Sequence, residues 1–422
     1  MTTISNVIAR EVLDSRGDPT VEAEVHTSGG VWGRAIVPSG ASTGAAEACE
    51  LRDRTAARYD GRGVLEAVAH VRDTIGPAVL GLDPADQAAL DAQLLELDDS
   101  PQKTRLGGNA LLAVSLAGAH AGAASNGIPL YRHLNDVFRR LDPSAPQPRM
   151  PLAMINMISG GLHAGGNLDF QDFLIMPIGA ENITLGFEWA VRVYRRLGSL
   201  LTAAGFEGRL VADEGGYGPR LGSNGQAAEF VVRAIEAAGF VPGRDVTLAV
   251  DVASTHFFDG SQYRLAATGD DRLTSDQMID YLEAMVEQFP ITSIEDGLAE
   301  DDWSGWQQLT TRLGKEVRLV GDDLFATNAA RLERGIQLGG GNSVLIKVNQ
   351  IGTLTETLRT IGLARKHGYS YVVSARSGET EDTTIADLAV ATAADLIKIG
   401  SIARSERLAK YNQLLRISEG LR

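Results

Sequence analysis

The chain has 422 residues, 44% of them hydrophobic and 22% charged, which is enough apolar material for a sizeable core and argues against wholesale disorder. The formal net charge of −15 argues against nucleic acid or an anionic membrane as the main partner, but leaves room for an anionic small substrate at a locally cationic or metal-bearing site. The single cysteine, Cys49, forbids an intrachain disulfide; MTTISNVIAR has no signal-peptide pattern and no apolar run approaches the roughly 20 residues of a membrane helix, so a cytoplasmic protein is expected.

In chain order, IAREVLDS, TVEAEVHT and VWGRAIVP read as short strands separated by RGDP and SGG turns. The alternation in TVEAEVH predicts a half-buried strand. The glycine- and serine-rich loop PSGASTG follows, and from Ala45 to about Asp136 the pattern becomes helical, rich in Ala and Leu. Residues 1–140 therefore read as an α+β unit. Pro143, Pro146, Pro148 and Pro151 mark a linker. Over residues 141–422 eight short apolar runs recur: PLAMINMI, DFLIMPI, VTLAVD, ITSIED, VRLVGDD, SVLIKVN, YSYVVSAR and DLIKIG. Helical stretches such as 227–238, 276–288 and 354–367 lie between them, the pattern of a (β/α)8 barrel. The first two runs are joined by GGLHAGGNLDFQ with no helix, so the barrel is expected to open with a ββ hairpin.

Chemistry in such a barrel sits at the C-terminal strand ends. Those ends carry Asp251, Glu295 with Asp296, Asp322 with Asp323, then Lys347, Arg376 with Ser377, and Lys398. A lone acid at a strand end often only caps the next helix. Three successive acidic ends followed by two lysines are better explained by a cation, since converging carboxylates repel one another. An all-oxygen ligand set suits Mg²⁺. The seven histidines show no HxxxH or HxH spacing, which disfavours zinc. A lysine near a metal can have its pKa lowered and act as a base. VADEGGYGP places Glu214 before a Gly-Gly pair, and PSGASTG could bring Ser42 to a metal or a bound anion.

The segments LDSRGDPTVEAEV, VPSGASTG, VADEGGYGP, SIEDGL, LVGDDLFATN, IKVNQIGTLTETL, RSGETEDTTIADLAV and ARSERLAKYNQLLRI together resemble the enolase family, in its order and over nearly the whole chain. The resemblance implies a small α+β domain capping an enolase-type barrel, usually in a homodimer. It further implies two Mg²⁺ and a substrate that carries a carboxylate and a phosphate. By matching motifs, Asp251, Glu295 and Asp322 are expected to hold the first metal, and Ser42 the second together with the phosphate. Lys347 is the expected base at C2 of 2-phosphoglycerate, and Glu214 assists departure of the 3-hydroxyl. Lys398 faces the carboxylate, Arg376 and Ser377 grip the phosphate, and His163 lines the site.

Two positions depart from the family pattern. Asp172 stands where glutamate is usual, in Gln171-Asp172-Phe173, and Ala375 stands where histidine is usual, before RSGET. Ser159 replaces a usual asparagine, and the chain stops sooner after YNQLLRI. The first two changes fall on the side that handles the hydroxyl and water. Ala375 also removes bulk beside the phosphate site, which could admit a second, nucleotide-activated reactant. One branch of the family, in phosphinothricin-type phosphonate biosynthesis, makes carboxyphosphonoenolpyruvate with CMP-activated phosphonoformate, and this chain resembles such a paralogue. The other readings are an ordinary enolase interconverting 2-phosphoglycerate and phosphoenolpyruvate, and an inactive binding or scaffold relative. Retaining so many buried charges without a use argues against the last.

Overall fold

The structure, a computed structural model, describes residues 2–421 apart from 42, 43, 268 and 270. It begins with an antiparallel meander of β1 (Ile4–Leu13), β2 (Pro19–Thr27) and β3 (Trp32–Ile36). Its first turn is built by Asp14, whose Oδ1 accepts from the backbone N–H of Arg16 (2.8 Å) and Asp18 (3.0 Å), with Gly17 supplying a φ of +79°. The helix Gly108–Asn126 packs on β2 and β3, and Gly33 makes the approach possible: a Cβ there would stand 2.2 Å from the backbone nitrogen of Ala121.

Two local expectations need correction. β2 is buried along most of its length rather than on one face. The helix covers one side, and Glu22 is taken out of water on the other by ion pairing with Arg10. Residues 45–63 are not an α-helix; the first α-helix is Leu65–His70. The arginines of this stretch are spent on loop contacts instead: Arg52 donates to the carbonyls of Pro19 and Arg62, both at 2.5 Å, and Arg58 pairs with Glu11 at 2.6 Å. Asp53, projecting from the same loop, accepts from the N–H groups of Leu65 (3.0 Å) and Glu66 (2.8 Å) and so starts the helix that follows.

All eight apolar runs form a closed barrel. Its strands are β4 (Leu152–Ser159), β5 (Asp172–Met176), β6 (Thr247–Asp251), β9 (Ile291–Glu295), β10 (Arg318–Gly321), β11 (Ser343–Ile346), β12 (Ser370–Ser374) and β13 (Leu396–Gly400). A small hairpin, β7 (Tyr263–Leu265) with β8 (Asp271–Leu273), lies outside it. The ring order is β4-β5-β6-β9-β10-β11-β12-β13, closing back on β4. β5 runs antiparallel to both neighbours and every other pair is parallel, so the barrel opens with a ββ hairpin. Two helices, Ile183–Ala203 and Asn224–Ala237, connect β5 to β6. Helix starts carry side-chain caps: Ser223, Thr274 in a reciprocal pair with Gln277, Asn328 and Thr353.

The period-2 pattern of the strands carries the site. Leu174, Ala249, Val320, Leu345, Val372 and Leu396 pack together inside the barrel, and Leu319 joins the larger core outside. Two residues further along the same faces lie Asp251, Asp322, Lys347 and Lys398, at the barrel mouth. Because β5 runs the opposite way, its first residue, Asp172, reaches that same mouth. Among the described residues, no helix is long and apolar enough to cross a membrane.

Candidate active site

The mouth holds a dense set of buried charges. Lys398 Nζ lies 2.7 Å from Asp251 Oδ2 and 2.8 Å from both Glu295 oxygens. Lys347 pairs with Asp322. Burial works against a charged Lys398, but Asp251 and Glu295 outweigh it and hold the ammonium well above its ordinary value. Glu295 is itself driven well above the usual carboxylate range, by burial first and by Asp251 next. Burial pushes the Lys347 ammonium down, but the carboxylates of Asp322, Glu295 and Glu47 together outweigh it and its pKa is raised.

Asp296 has a different task from its neighbours. Its φ is +42°, rare for a residue with a side chain, and its two oxygens accept from the backbone N–H groups of Asp322 (2.9 Å) and Asp323 (2.8 Å). It therefore shapes the end of β10 rather than facing the cavity. Burial and Asp322 push the Asp323 carboxyl up to about 8.

His163, Glu214, Lys347, Ala375, Arg376 and Ser377 line one cavity together with Asp251, Asp322 and Lys398. Glu214 is set by a loop stitched to two strand ends. Ser159 N–H donates to Tyr217 O (2.8 Å), Tyr217 N–H to Met157 O (2.9 Å), and Ser401 N–H to Glu214 O (2.8 Å). Ser377 Oγ accepts from the backbone N–H of Ala41 at 2.7 Å, and Ser39 and Gly378 exchange two backbone hydrogen bonds of 2.9 Å. The PSGASTG loop is thus fastened to the RSGET segment on the barrel, although Ser42 itself lies outside the described residues.

Asp172 is fully buried and does not line the cavity. Its Oδ1 accepts from Ser159 Oγ (3.0 Å) and from Asn156 Nδ2, and its Oδ2 is 2.9 Å from His163 Nδ1. His163 is pushed up to about 9: burial opposes the charge, but Asp172 and Glu214 together outweigh it.

Some site-forming residues carry no signal in the sequence. Glu47, from the N-terminal segment, is buried against Arg376 (3.0 Å) and accepts from Gln350 Nε2 (3.2 Å). Gln350 donates in turn to Asp322 Oδ1 at 2.8 Å. Arg376 also donates to Asn349 Oδ1 at 2.8 Å. Glu47 is one acid among many in its segment, and nothing in the spacing sets it apart. Gln350 lies inside IKVNQIGTLTETL, where only its place in the motif marks it.

The residues fit a divalent cation. Asp251, Glu295 and Asp322 are buried oxygen donors at neighbouring strand ends, and two lysines with one arginine do not balance them together with Asp296 and Asp323. Among the described residues, two groups bring three ligand atoms within 4.8 Å of one another: His163–Asp172–Glu214 and Asp296–Asp322–Asp323. Asp172 and Asp296 are held by donors of the surrounding scaffold, whereas Asp251 and Asp322 face the cavity and, with Glu295, are paired with Lys398 and Lys347.

A hairpin-opened eight-stranded barrel with carboxylates and lysines at its mouth, fastened to a small α+β unit, defines the class to which this fold belongs. Residues 4–134 match the family described as enolase, N-terminal domain, and residues 147–422 match that described as enolase, C-terminal TIM barrel domain. The chain belongs to the enolase family.

Proposed function

We propose that this enolase-superfamily enzyme binds phosphoenolpyruvate or 2-phosphoglycerate with two Mg²⁺ and acts at the phosphate end of the substrate. The observation that carries this reading is that neither position 172 nor position 375 puts a polar side chain into the cavity. Ala375 presents only a methyl group beside Arg376 and Ser377, and Asp172 stands behind His163. In this reading Asp251, Glu295 and Asp322 hold the first Mg²⁺, and Ser42 helps hold the second. The bound metal supplies Lewis-acid stabilisation of charge on the substrate carboxylate. Lys347 handles the proton at C2, Lys398 faces the carboxylate, Arg376 and Ser377 hold the phosphate, and Glu214 stands on the hydroxyl side.

The space beside Ala375 then takes a second reactant, CMP-activated phosphonoformate. Water takes the phosphoryl group from the enol oxygen as inorganic phosphate, and the freed enolate oxygen bonds to the phosphonoformate phosphorus as its P–O bond to CMP breaks, so that carboxyphosphonoenolpyruvate, CMP and inorganic phosphate are the products. The second reading is an ordinary enolase, and its support is Glu214, which keeps its place in the cavity.

One experiment separates the two. The protein is incubated with Mg²⁺ and 2-phosphoglycerate in D₂O, and C2 hydrogen exchange and phosphoenolpyruvate formation are followed together. Exchange without dehydration supports the altered reaction, and CMP-phosphonoformate with phosphoenolpyruvate is the next assay. Rapid dehydration supports the ordinary enolase. Neither, with no metal bound, returns the chain to a scaffold role.

A further inference from the structure

The group that holds Asp172 in place also decides what the cavity presents to a substrate. Asp172 is the first residue of β5 and is reached from three sides. Asn156 and Ser159 on the adjacent strand β4 both donate to its Oδ1, and Asn156 Nδ2 also donates to Ser159 Oγ at 2.9 Å. The Glu214 loop closes this anchor from the far side: a Cβ on Gly216 would stand 2.9 Å from Ser159 Oγ and 3.1 Å from Asn156 Oδ1. The remaining oxygen, Oδ2, takes His163 Nδ1 at 2.9 Å.

His163 comes from the 3₁₀ turn Gly161–Ala164 that joins β4 to β5. With Nδ1 committed to Asp172, its other nitrogen is turned toward the cavity, where Nε2 lies 3.9 Å from Glu214 Oε1. We infer that Asp172 is a positioning residue, anchored by Asn156 and Ser159, and that it fixes a charged His163 whose Nε2–H is the donor offered to the substrate on this wall. The carboxylate at this position thus reaches the substrate through an imidazole and not by itself. The cavity then offers a cationic donor next to Glu214.

The charge on His163 is set by groups from every neighbouring element: Asp172 on β5, Glu214 on the loop before Gly215, Asp251 at the end of β6, His256 in the turn after it, and Lys398 on β13. Two acids stand closest, Asp172 in hydrogen-bond contact and Glu214 at 3.9 Å, so the sum favours the imidazolium. The inference rests on this cavity being the substrate site.

The test uses the Mg²⁺-loaded full chain labelled with ¹⁵N-histidine, with the His163 signals assigned by their loss in His163→Gln. In the wild type both ring nitrogens are expected to remain protonated at pH 7.5, with a titration midpoint above that pH. Asp172→Asn keeps the shape and removes the charge, and it should lower that midpoint by at least one unit, a tenfold change in the protonation constant. Saturating phosphoenolpyruvate should move the Nε2 resonance. A neutral His163 at pH 7.5 in the wild type overturns the inference, and that reading needs no variant to fold. A midpoint unmoved in folded Asp172→Asn overturns it as well, as does bound phosphoenolpyruvate that leaves Nε2 unchanged. If phosphoenolpyruvate does not bind while His163 is charged and responds to Asp172→Asn, the proposed function fails and the anchoring of His163 by Asp172 is upheld.

Discussion

Glu47 and Arg376 form a buried ion pair at 3.0 Å between the N-terminal segment and the barrel mouth, 329 positions apart in sequence. Arg376 is 3% exposed, and Glu47 contributes most among the acids that favour its buried charge. Glu47→Ala should destabilise the protein by about 3–5 kcal/mol, because it leaves a buried guanidinium without its carboxylate. Urea unfolding of the variant against wild type measures this. A loss below about 1 kcal/mol would show that Arg376 finds another partner.

The excess of buried acids at the mouth makes a second prediction. Glu295 and Asp296 are both held well above the usual carboxylate range by burial and by neighbouring acids. A divalent cation bound there should raise the unfolding free energy by about 2.7 kcal/mol at a concentration one hundred times its dissociation constant. Calorimetry with Mg²⁺ and with EDTA provides the comparison. Asp322→Asn should weaken the effect, and equal melting curves with and without Mg²⁺ in the wild type would count against a site.

Restoring the two family residues is the direct test of the altered wall. Asp172→Glu lengthens the side chain by one methylene, and Ala375→His returns a polar group beside Arg376. Misplacement of about 1 Å can cost on the order of 100-fold, and a lost acid–base group 10²–10⁴-fold. The double variant should therefore dehydrate 2-phosphoglycerate at least about 100-fold faster than wild type, read from the absorbance of phosphoenolpyruvate. No gain would place the limit on dehydration elsewhere.

Two buried groups far from the mouth give opposite pH dependences of stability. His133 is buried and neither ring nitrogen has a hydrogen-bond partner among the described residues; burial lowers its pKa to about 4 from an ordinary 6.5. The folded state thus resists protonation, and stability present above pH 6.5 is lost as the pH falls toward 4. Asp387 accepts from the backbone N–H of Tyr131 (3.1 Å) and from Gln413 (3.0 Å), but burial raises it to about 6 from 3.8. Its contribution is full below pH 3.8 and is lost as the pH rises through 6. Each amounts to about 3 kcal/mol, and they nearly cancel in the wild type. Asp387→Asn should therefore lose stability steeply between pH 6.5 and 4, and His133→Gln should gain it over the same range. Urea midpoints across that range decide it; parallel curves for the three proteins would refute the pairing.

The barrel was legible in the sequence because most of its strands are short runs of buried apolar side chains that change character at the C-terminal end. Ala249 is followed two residues on by Asp251, Val320 by Asp322, Leu345 by Lys347 and Leu396 by Lys398. A period of two keeps each pair on one face, so strand periodicity alone set those four side chains at the mouth. The missing helix between the first two runs likewise announced the hairpin. The half-buried reading of β2 failed because alternation records side-chain polarity, and an ion pair such as Glu22 with Arg10 buries a polar face without changing the pattern.

What the sequence by itself determined was the order of the elements, the family, and which residue types stand at the strand ends. The tertiary structure alone decided their partners: Lys398 between Asp251 and Glu295, Glu47 on Arg376, and Asp172 turned from the cavity toward His163. The physical reason is that hydrogen bonds and Coulomb interactions act over a few ångströms. Neighbours that close, from segments tens to hundreds of residues apart, exist only once the strands have closed into a ring.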